Sequence, residues 1–252
     1  MTVAVLYKWT CNPQDASVSS DGVVNWSGAK PAVSEYDTVA IEVGRQVADA
    51  ASSEYVGVCL GNASVVSSVA RKSVMSRGLD WAIMVADDVT STWNAVDVGR
   101  ALATMIQRIG DVDLVVAGDM SLDEAAGIVP GVTAGYLGWS CLLNAAKVER
   151  SADGWIVEQV VSGGTRTIQV NGPLVVSVTT DAAKPRVPGI KDVLAADKKR
   201  VDSVPVEELP KPESVLTATG QSLPPKANRL NKIFALHQIG DLVDALRSDG
   251  VL

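Results

Sequence analysis

The stretch AGDMSLDEAAGIVPG, residues 117–131, decides how the chain is read. Before it stands Asp113-Leu-Val-Val, a short apolar run read as a buried strand that ends in Ala117. After it stands PGVTAGYLGW, read as a helix. Proline in a helix interior costs about 3 kcal/mol, but at the first turn its missing N–H is not needed. The helix is therefore predicted to begin at Pro130, leaving 118–129 as a loop of about 12 residues. Loops of that length inside a compact domain are usually functional or mobile. The open amides of Gly131 and Val132 would face the strand ends, where an anion can accept from them. Ser121 and Asp123 could hold a ribose or cap the loop. On spacing alone two readings stand side by side, a phosphate-binding turn and an ordinary acidic surface loop. No Gly-Lys-Ser/Thr follows the glycines, so the stretch is not a P-loop.

Working outward, the first 145 residues alternate between strand and helix signals. Strands are predicted at 3–8, 55–60, 81–85 and 113–117. A helix is predicted over 35–50, with Tyr36, Val39, Ala40, Val43 and Val47 on one face; Ser34 and Asp37 have capping-box spacing. Asn62 is predicted to cap a helix running to about Ser76. Val98, Ala101, Leu102 and Met105 mark another helix by their i, i+3, i+4, i+7 spacing. The polar segment 15–26 reads as a loop or hairpin. Repeated βα units imply a mostly parallel sheet flanked by helices, an α/β fold whose ligands sit beyond the carboxyl ends of the strands.

After Lys147 the pattern changes to strands joined by the turns ADG and SGG, with a further apolar strand in GPLVVSVTTD. From Asp181 prolines recur, a composition that suits an extended arm. The domain reading is 1–180 as an α/β nucleotide-binding domain and 181–252 as an arm. The arm ends in an amphipathic helix marked by Ile239, Leu242, Val243 and Leu246.

The bulk numbers narrow the function. A net charge of −7 argues against a nucleic-acid partner, which needs a positive surface. No apolar run approaches the roughly 18 residues of a membrane span. Three scattered cysteines and a strand-like N-terminus read as a reduced, cytoplasmic chain. Valine and alanine are plentiful and aromatics few, as in parallel strands buried under helices. The single histidine, His237, lies in the tail, so no Ser-His-Asp or Cys-His site is indicated. Lys8, at a strand's carboxyl end, reads either as an anion or cofactor contact or as a solvated lysine. Arg71, Lys72 and Arg77 fall near a helix end, where the dipole already favours cations. Asp87-Asp88 and Glu207-Glu208 read as solvated pairs.

These residues resemble the beta subunit of electron transfer flavoprotein, in its FixA-like branch, over about 3–209. The markers are YKWTCNPQD after the first strand, AKPAVSEYDTVAIEVG, ARKSVMSRGLDWAIMV, DLVVAGDMSLDEAAG…GYLGW and VVSVTTDAAKPRVPGIKDVLAADKK. The resemblance implies an adenine nucleotide hydrolase-like α/β fold whose C-terminal arm wraps an alpha subunit. It implies a heterodimer that carries FAD mainly on the alpha subunit, with AMP or a second FAD in this one. Electrons would pass from a flavin dehydrogenase, often of the acyl-CoA type, to a reductase or similar acceptor; bifurcating members oxidise NADH. Carried over, the nucleotide would contact Leu6 and Lys8, Ser34, Tyr36 and Asp37, and Leu60. It would also contact Gly118, Asp119, Met120, Ser121, Asp123, Gly127, Ile128, Val129, Gly131 and Val132 in the loop. Ala182, with Ala183 and Pro185, would meet a partner.

The chain departs from the family in that same loop. A polar Gln or Asn-Gln-Thr before a glycine is usual there, whereas this chain has Gly127, Ile128 and Val129, and Pro130 in the glycine's place. A phosphate would lose side-chain donors and one amide. Asn12-Pro13 likewise replaces the usual aspartate-containing turn. Two other readings are a regulatory module of the universal stress protein type, and a subunit that has lost its nucleotide and only clamps the alpha subunit's FAD.

Overall fold

A computed structural model describes residues 1–213, 219, 222–225 and 231–252. The chain begins with β1 (Thr2–Leu6), β2 (Trp9–Cys11), the small hairpin β3 (Ser17–Val18) and β4 (Val24–Asn25), and β5 (Pro31–Val33), which pairs with β2. Helices and strands then alternate: α1 (Glu35–Ala51), β6 (Glu54–Gly61), α2 (Ser68–Met75), β7 (Trp81–Ala86), α3 (Ala95–Ile109), β8 (Val112–Gly118) and α4 (Val129–Leu137). β9 (Ser140–Arg150), β10 (Gly154–Val161), β11 (Gly164–Asn171) and β12 (Leu174–Val178) follow. α5 (Ile190–Ala196), β13 (Val201–Ser203) and α6 (Ile239–Ser248) complete the set.

Nine strands form one sheet in the order β11-β10-β9-β12-β8-β1-β6-β7-β13. From β9 to β13 every neighbour pair is parallel, and β10 is antiparallel to both its neighbours. The period-2 alternation of strand side chains divides the core between the two faces. Val3, Val5, Leu114, Val116, Leu174 and Val176 join the cluster that contains the apolar side of α1 and α2. Ala4, Leu6, Val56, Val58, Val115 and Val175 join the cluster beneath α3 and α4. β1 and β12 are buried along their whole length, which is why they read as unbroken apolar runs.

Topology explains which helix lies on which face. A right-handed crossover places its helix according to the direction of travel across the sheet. β1 to β6 to β7 moves one way, so α1 and α2 share a face; β7 to β8 to β9 moves the other way, so α3 and α4 share the opposite face. The long connection from β12 to β13 restores the first direction. α5 accordingly packs on α2, and its Ala196 joins the α1–α2 cluster. The chain leaves β1 toward one side and β8 toward the other, and these strands are neighbours, so a crevice opens at their carboxyl ends.

Three sequence readings change. The helix expected from Asn62 to Ser76 is two elements: Asn62 caps a single 3-10 turn, Ala63–Val66, and Ser67 caps α2 by accepting from the Ala70 N–H. α4 starts at Val129, with Pro130 in its first turn rather than at its first position. The segment after Asp181 first returns to the domain. Arg186 clamps buried Glu42 of α1 through two hydrogen bonds of 2.6 and 3.1 Å, β13 extends the sheet, and Val204 and Leu209 are buried. Lys199 donates to the carbonyls of Met75 (3.0 Å) and Leu79, closing the C-terminal end of α2. Lys72 pairs with Asp197 at 2.8 Å, and Arg77 donates to the Arg186 carbonyl, so these cations tie the returning segment to α2 and the turn after it. The parts of the expected arm at 214–218, 220–221 and 226–230 lie outside the described residues. No described helix is long and apolar enough to cross a membrane.

Candidate functional site

The crevice between β1 and β8 holds a cavity of about 330 Å³. That is near the low end of the roughly 300–1,000 Å³ typical of small-molecule sites. The end of β1, the end of β6, the turn after β7 and the loop after β8 build most of it, with Asp37 of α1 and Ala95, Val98 and Leu102 of α3.

Asp37 ties the two central strands together beneath the cavity. Its carboxylate accepts the Lys8 N–H at 2.7 Å and the Gly118 N–H. These amides lie at adjacent strand ends, where the ladder no longer supplies partners, and a carboxylate can satisfy both. The capping box expected from Ser34 and Asp37 is therefore not formed. The backbone turn is made, with the Asp37 N–H donating to the Ser34 carbonyl at 3.0 Å, but the Ser34 hydroxyl has no partner and Asp37 points to the sheet. Burial outweighs the two N–H donors and the nearby Lys8, and raises the Asp37 carboxyl to about 7. Gly118 makes the close approach possible. A Cβ there would lie 2.7 Å from Asp37 Oδ1 and 2.8 Å from Tyr36 Cβ.

The loop from 119 to 128 is tied at its start and at its middle. The Ser177 hydroxyl of β12 donates to Asp119 and accepts the Asn144 N–H at 3.1 Å. Burial raises the Asp119 carboxyl, against the pull of the Ser177 and Asn144 donors. Further along, Asp123 and Glu124 reach Lys8: the ammonium lies 2.8 Å from Asp123 Oδ2 and 3.1 Å from Glu124 Oε1. The Thr10 hydroxyl donates to the same Asp123 oxygen at 2.8 Å. Burial works against charge on Asp123, but Lys8, Ser121 and Thr10 prevail and hold its carboxyl below the usual range. Ala125 and Gly127 turn the loop with φ of 49° and 63°, the left-handed region that glycine adopts freely.

Of the residues expected to touch a nucleotide, Leu6, Lys8, Asp37, Leu60, Gly118 and Asp119 line the cavity. Met120, Ser121, Asp123, Gly127 and Val129 line it too. Ser34, Tyr36, Ile128, Gly131 and Val132 do not line it. Tyr36 lies against Gly118, and Ile128 is 47% exposed. The Val132 amide is not open: it donates to the Ile128 carbonyl at 2.9 Å as the first bond of α4. The earlier helix start moves that amide into the ladder. Ile128 occupies the N-cap position and has no side-chain acceptor to offer there.

The turn after β7 brings residues that the sequence reading did not mark. Asp87 accepts the Val89 N–H at 2.9 Å, and Asp88 accepts the Ala63 N–H at 3.0 Å. These two carboxylates, read as solvated, thus shape the turns that carry Asn62, Ser64, Thr90, Ser91 and Trp93 to the cavity. The apolar lining includes Trp9, Trp93, Leu60, Leu102 and Val129; Lys8 is its one cation among the described residues, facing Asp37, Asp119, Asp123 and Glu124. A phosphate fits this arrangement poorly. The lysine that would meet it already holds two carboxylates, and neither open amide expected from α4 reaches the cavity.

Ala182 and Ala183, expected at a partner, are half-buried and pack on their own core because Arg186 draws this segment onto α1. Pro185 is half-buried as well. The exposed apolar side chains lie just beyond: Val187, Ile190 and Leu194 are 93%, 82% and 67% exposed. The electron transfer flavoprotein domain matches residues 21–210, a span from the hairpin past β13 that takes in nearly all of this sheet and its helices, and the chain belongs to the electron transfer flavoprotein family.

Proposed function

We propose that this chain is the beta, FixA-like subunit of a heterodimeric electron transfer flavoprotein. FAD is held mainly by the alpha subunit, and electrons pass from a flavin dehydrogenase of the acyl-CoA type to a reductase or similar acceptor. The family match over 21–210 carries this reading. The order of the beta-type markers along the chain supports the choice of subunit. The redox chemistry belongs to the flavin; the protein supplies position and electrostatics.

The exposed apolar residues support the assembly part of the reading. Val187, Ile190 and Leu194 stand at and along α5, where they suit docking of a redox partner. Ile233 and Leu236 are each 94% exposed and lead into α6, whose Ile239 is 65% exposed. Apolar side chains presented in this way suit an arm that clasps the alpha subunit.

The test is co-expression with a candidate alpha subunit, followed by size-exclusion chromatography with flavin absorbance. The expected result is a yellow one-to-one complex. A monodisperse, colourless chain that ignores the alpha subunit would count against the reading.

A further inference from the structure

Lys8 projects into the cavity from the end of β1 with its ammonium between two loop carboxylates, Asp123 at 2.8 Å and Glu124 at 3.1 Å. The Asp123 side chain is 15% exposed and the Glu124 side chain 56%, so the inner contact is the enclosed one. Thr10 adds a donor to the same Asp123 oxygen. One lysine therefore meets two carboxylates supplied by a single loop of its own chain. Asp37 and Asp119 add two further carboxyl groups to the same lining. An incoming phosphate would have to displace both carboxylates from Lys8 and then lie beside them, and like charges in an enclosed site repel strongly. At the helix start Pro130 has no N–H, the Val132 amide is used within α4, and Gly131 lies outside the cavity lining.

We propose that Asp123 and Glu124 are built-in counter-anions for Lys8, taking the place of a nucleotide phosphate, so that this cavity excludes phosphorylated ligands. The inference rests on the family reading only for the expectation that a nucleotide would be sought here. It assigns the loop a specificity role: a charge lock on Lys8.

The experiment titrates AMP into the full chain, in complex with its alpha subunit where that forms, and follows thermal stability and calorimetric heat. Wild type is expected to show no saturable response at millimolar AMP and to release no nucleotide on denaturation. The Asp123→Asn/Glu124→Gln variant frees Lys8 and is expected to bind AMP at least about tenfold more tightly than wild type. Adding Lys8→Met to that variant is expected to abolish the gain. Glu124→Gln alone alters an exposed side chain, keeps the fold, and is expected to move AMP affinity in the same direction by a smaller factor. AMP released from purified wild type, or saturable AMP binding to it, would overturn the proposal. So would folded variants that gain no AMP binding. Failure to form a flavin-bearing complex would count against the proposed subunit role and leave the AMP readout on the full chain intact.

Discussion

Replacing Gly118 with alanine is the sharpest test of how the site is held. Gly118 ends β8 without a left-handed φ, so the substitution meets no backbone strain, only a lack of space. Its Cβ would lie 2.7 Å from Asp37 Oδ1, 2.8 Å from Tyr36 Cβ and 2.9 Å from the Tyr36 carbonyl carbon. The first contact can be relieved by rotating a carboxylate, but the other two require the start of α1 to move off the sheet. Overpacking of this kind costs about 1–3 kcal/mol. Rotating Asp37 also weakens its hydrogen bonds from the Lys8 and Gly118 amides, worth about 0.5–1.5 kcal/mol each. The two share the same movement and overlap, so a loss of about 2–4 kcal/mol is expected. Urea unfolding followed by tryptophan fluorescence measures it, since Trp9 and Trp93 line the cavity. Gly131→Ala is the matched control: a Cβ there meets nothing within 4 Å, and the site lies inside α4. That variant is expected to gain up to about 1 kcal/mol from helix propensity. If Gly118→Ala unfolds within about 0.5 kcal/mol of wild type, the account of α1 docking through Gly118 is wrong.

Three further outcomes follow from the same contacts. Arg186→Ala strips the bidentate partner from Glu42, whose side chain is 8% exposed against 39% for Arg186; solvent screening at the arginine brings the expected loss to about 1–3 kcal/mol in a denaturant melt. Although burial opposes it, Arg186 and Gln46 hold the Glu42 carboxyl below 4.5, so this contribution is present above that pH and is lost as pH falls through the lower folded value; the variant's deficit should shrink in acid. Asp37 has the opposite sign: with its carboxyl raised from 3.8 to about 7, the folded chain keeps a proton that the unfolded chain releases, so stability declines as pH rises from about 4 to 7, by at most about 4 kcal/mol. Asp37→Asn should flatten that decline in urea midpoints measured at pH 5 and 8. Tyr55→Phe removes a buried hydroxyl that donates to the Ile41 carbonyl at 2.8 Å, and a melt should show a loss of about 1–2 kcal/mol.

The sheet was legible because its strands carry a strong local signal: β1, β6, β7 and β8 are apolar runs between turn residues, and α1 and α3 have clear amphipathic spacing. β13 was not legible. Val201-Asp-Ser carries no pattern, and it becomes a strand because the connection from β12 crosses the sheet to the open edge of β7. The loop after β8 was recognisable from Pro130 and its length, yet the fate of Val132 turned on a one-residue shift in helix start, below the resolution of sequence patterns. The capping box fails to form for a similar reason. Ser34-x-x-Asp37 has the right spacing, and only the fold reveals two strand-end amides that compete for the carboxylate. Trp93, Thr90 and Asn62 gave no local sign of a site. The rule that ligands gather at the carboxyl ends of parallel strands was the one available pointer, since all three follow β6 or β7.

The cleft and its chemistry have separate origins. The cleft exists because β1 and β8 part company at neighbouring positions in the sheet, and buried groups such as Val5, Val116 and Asp37 maintain it. The charge inside it comes from a loop fixed by a few polar contacts: Ser177 to Asp119 at one end, and Thr10 and Lys8 to Asp123 further on. Changes at Gly118 or Asp37 should therefore register as folding stability, while changes at Asp123 and Glu124 should register as ligand selectivity with a smaller effect on the fold. This division explains how a chain can belong to the electron transfer flavoprotein family by its sheet while its loop supplies the carboxylates that meet Lys8. A variant set in which Asp123→Asn/Glu124→Gln unfolded as severely as Gly118→Ala would erase the division, because the loop would then be part of the folding core.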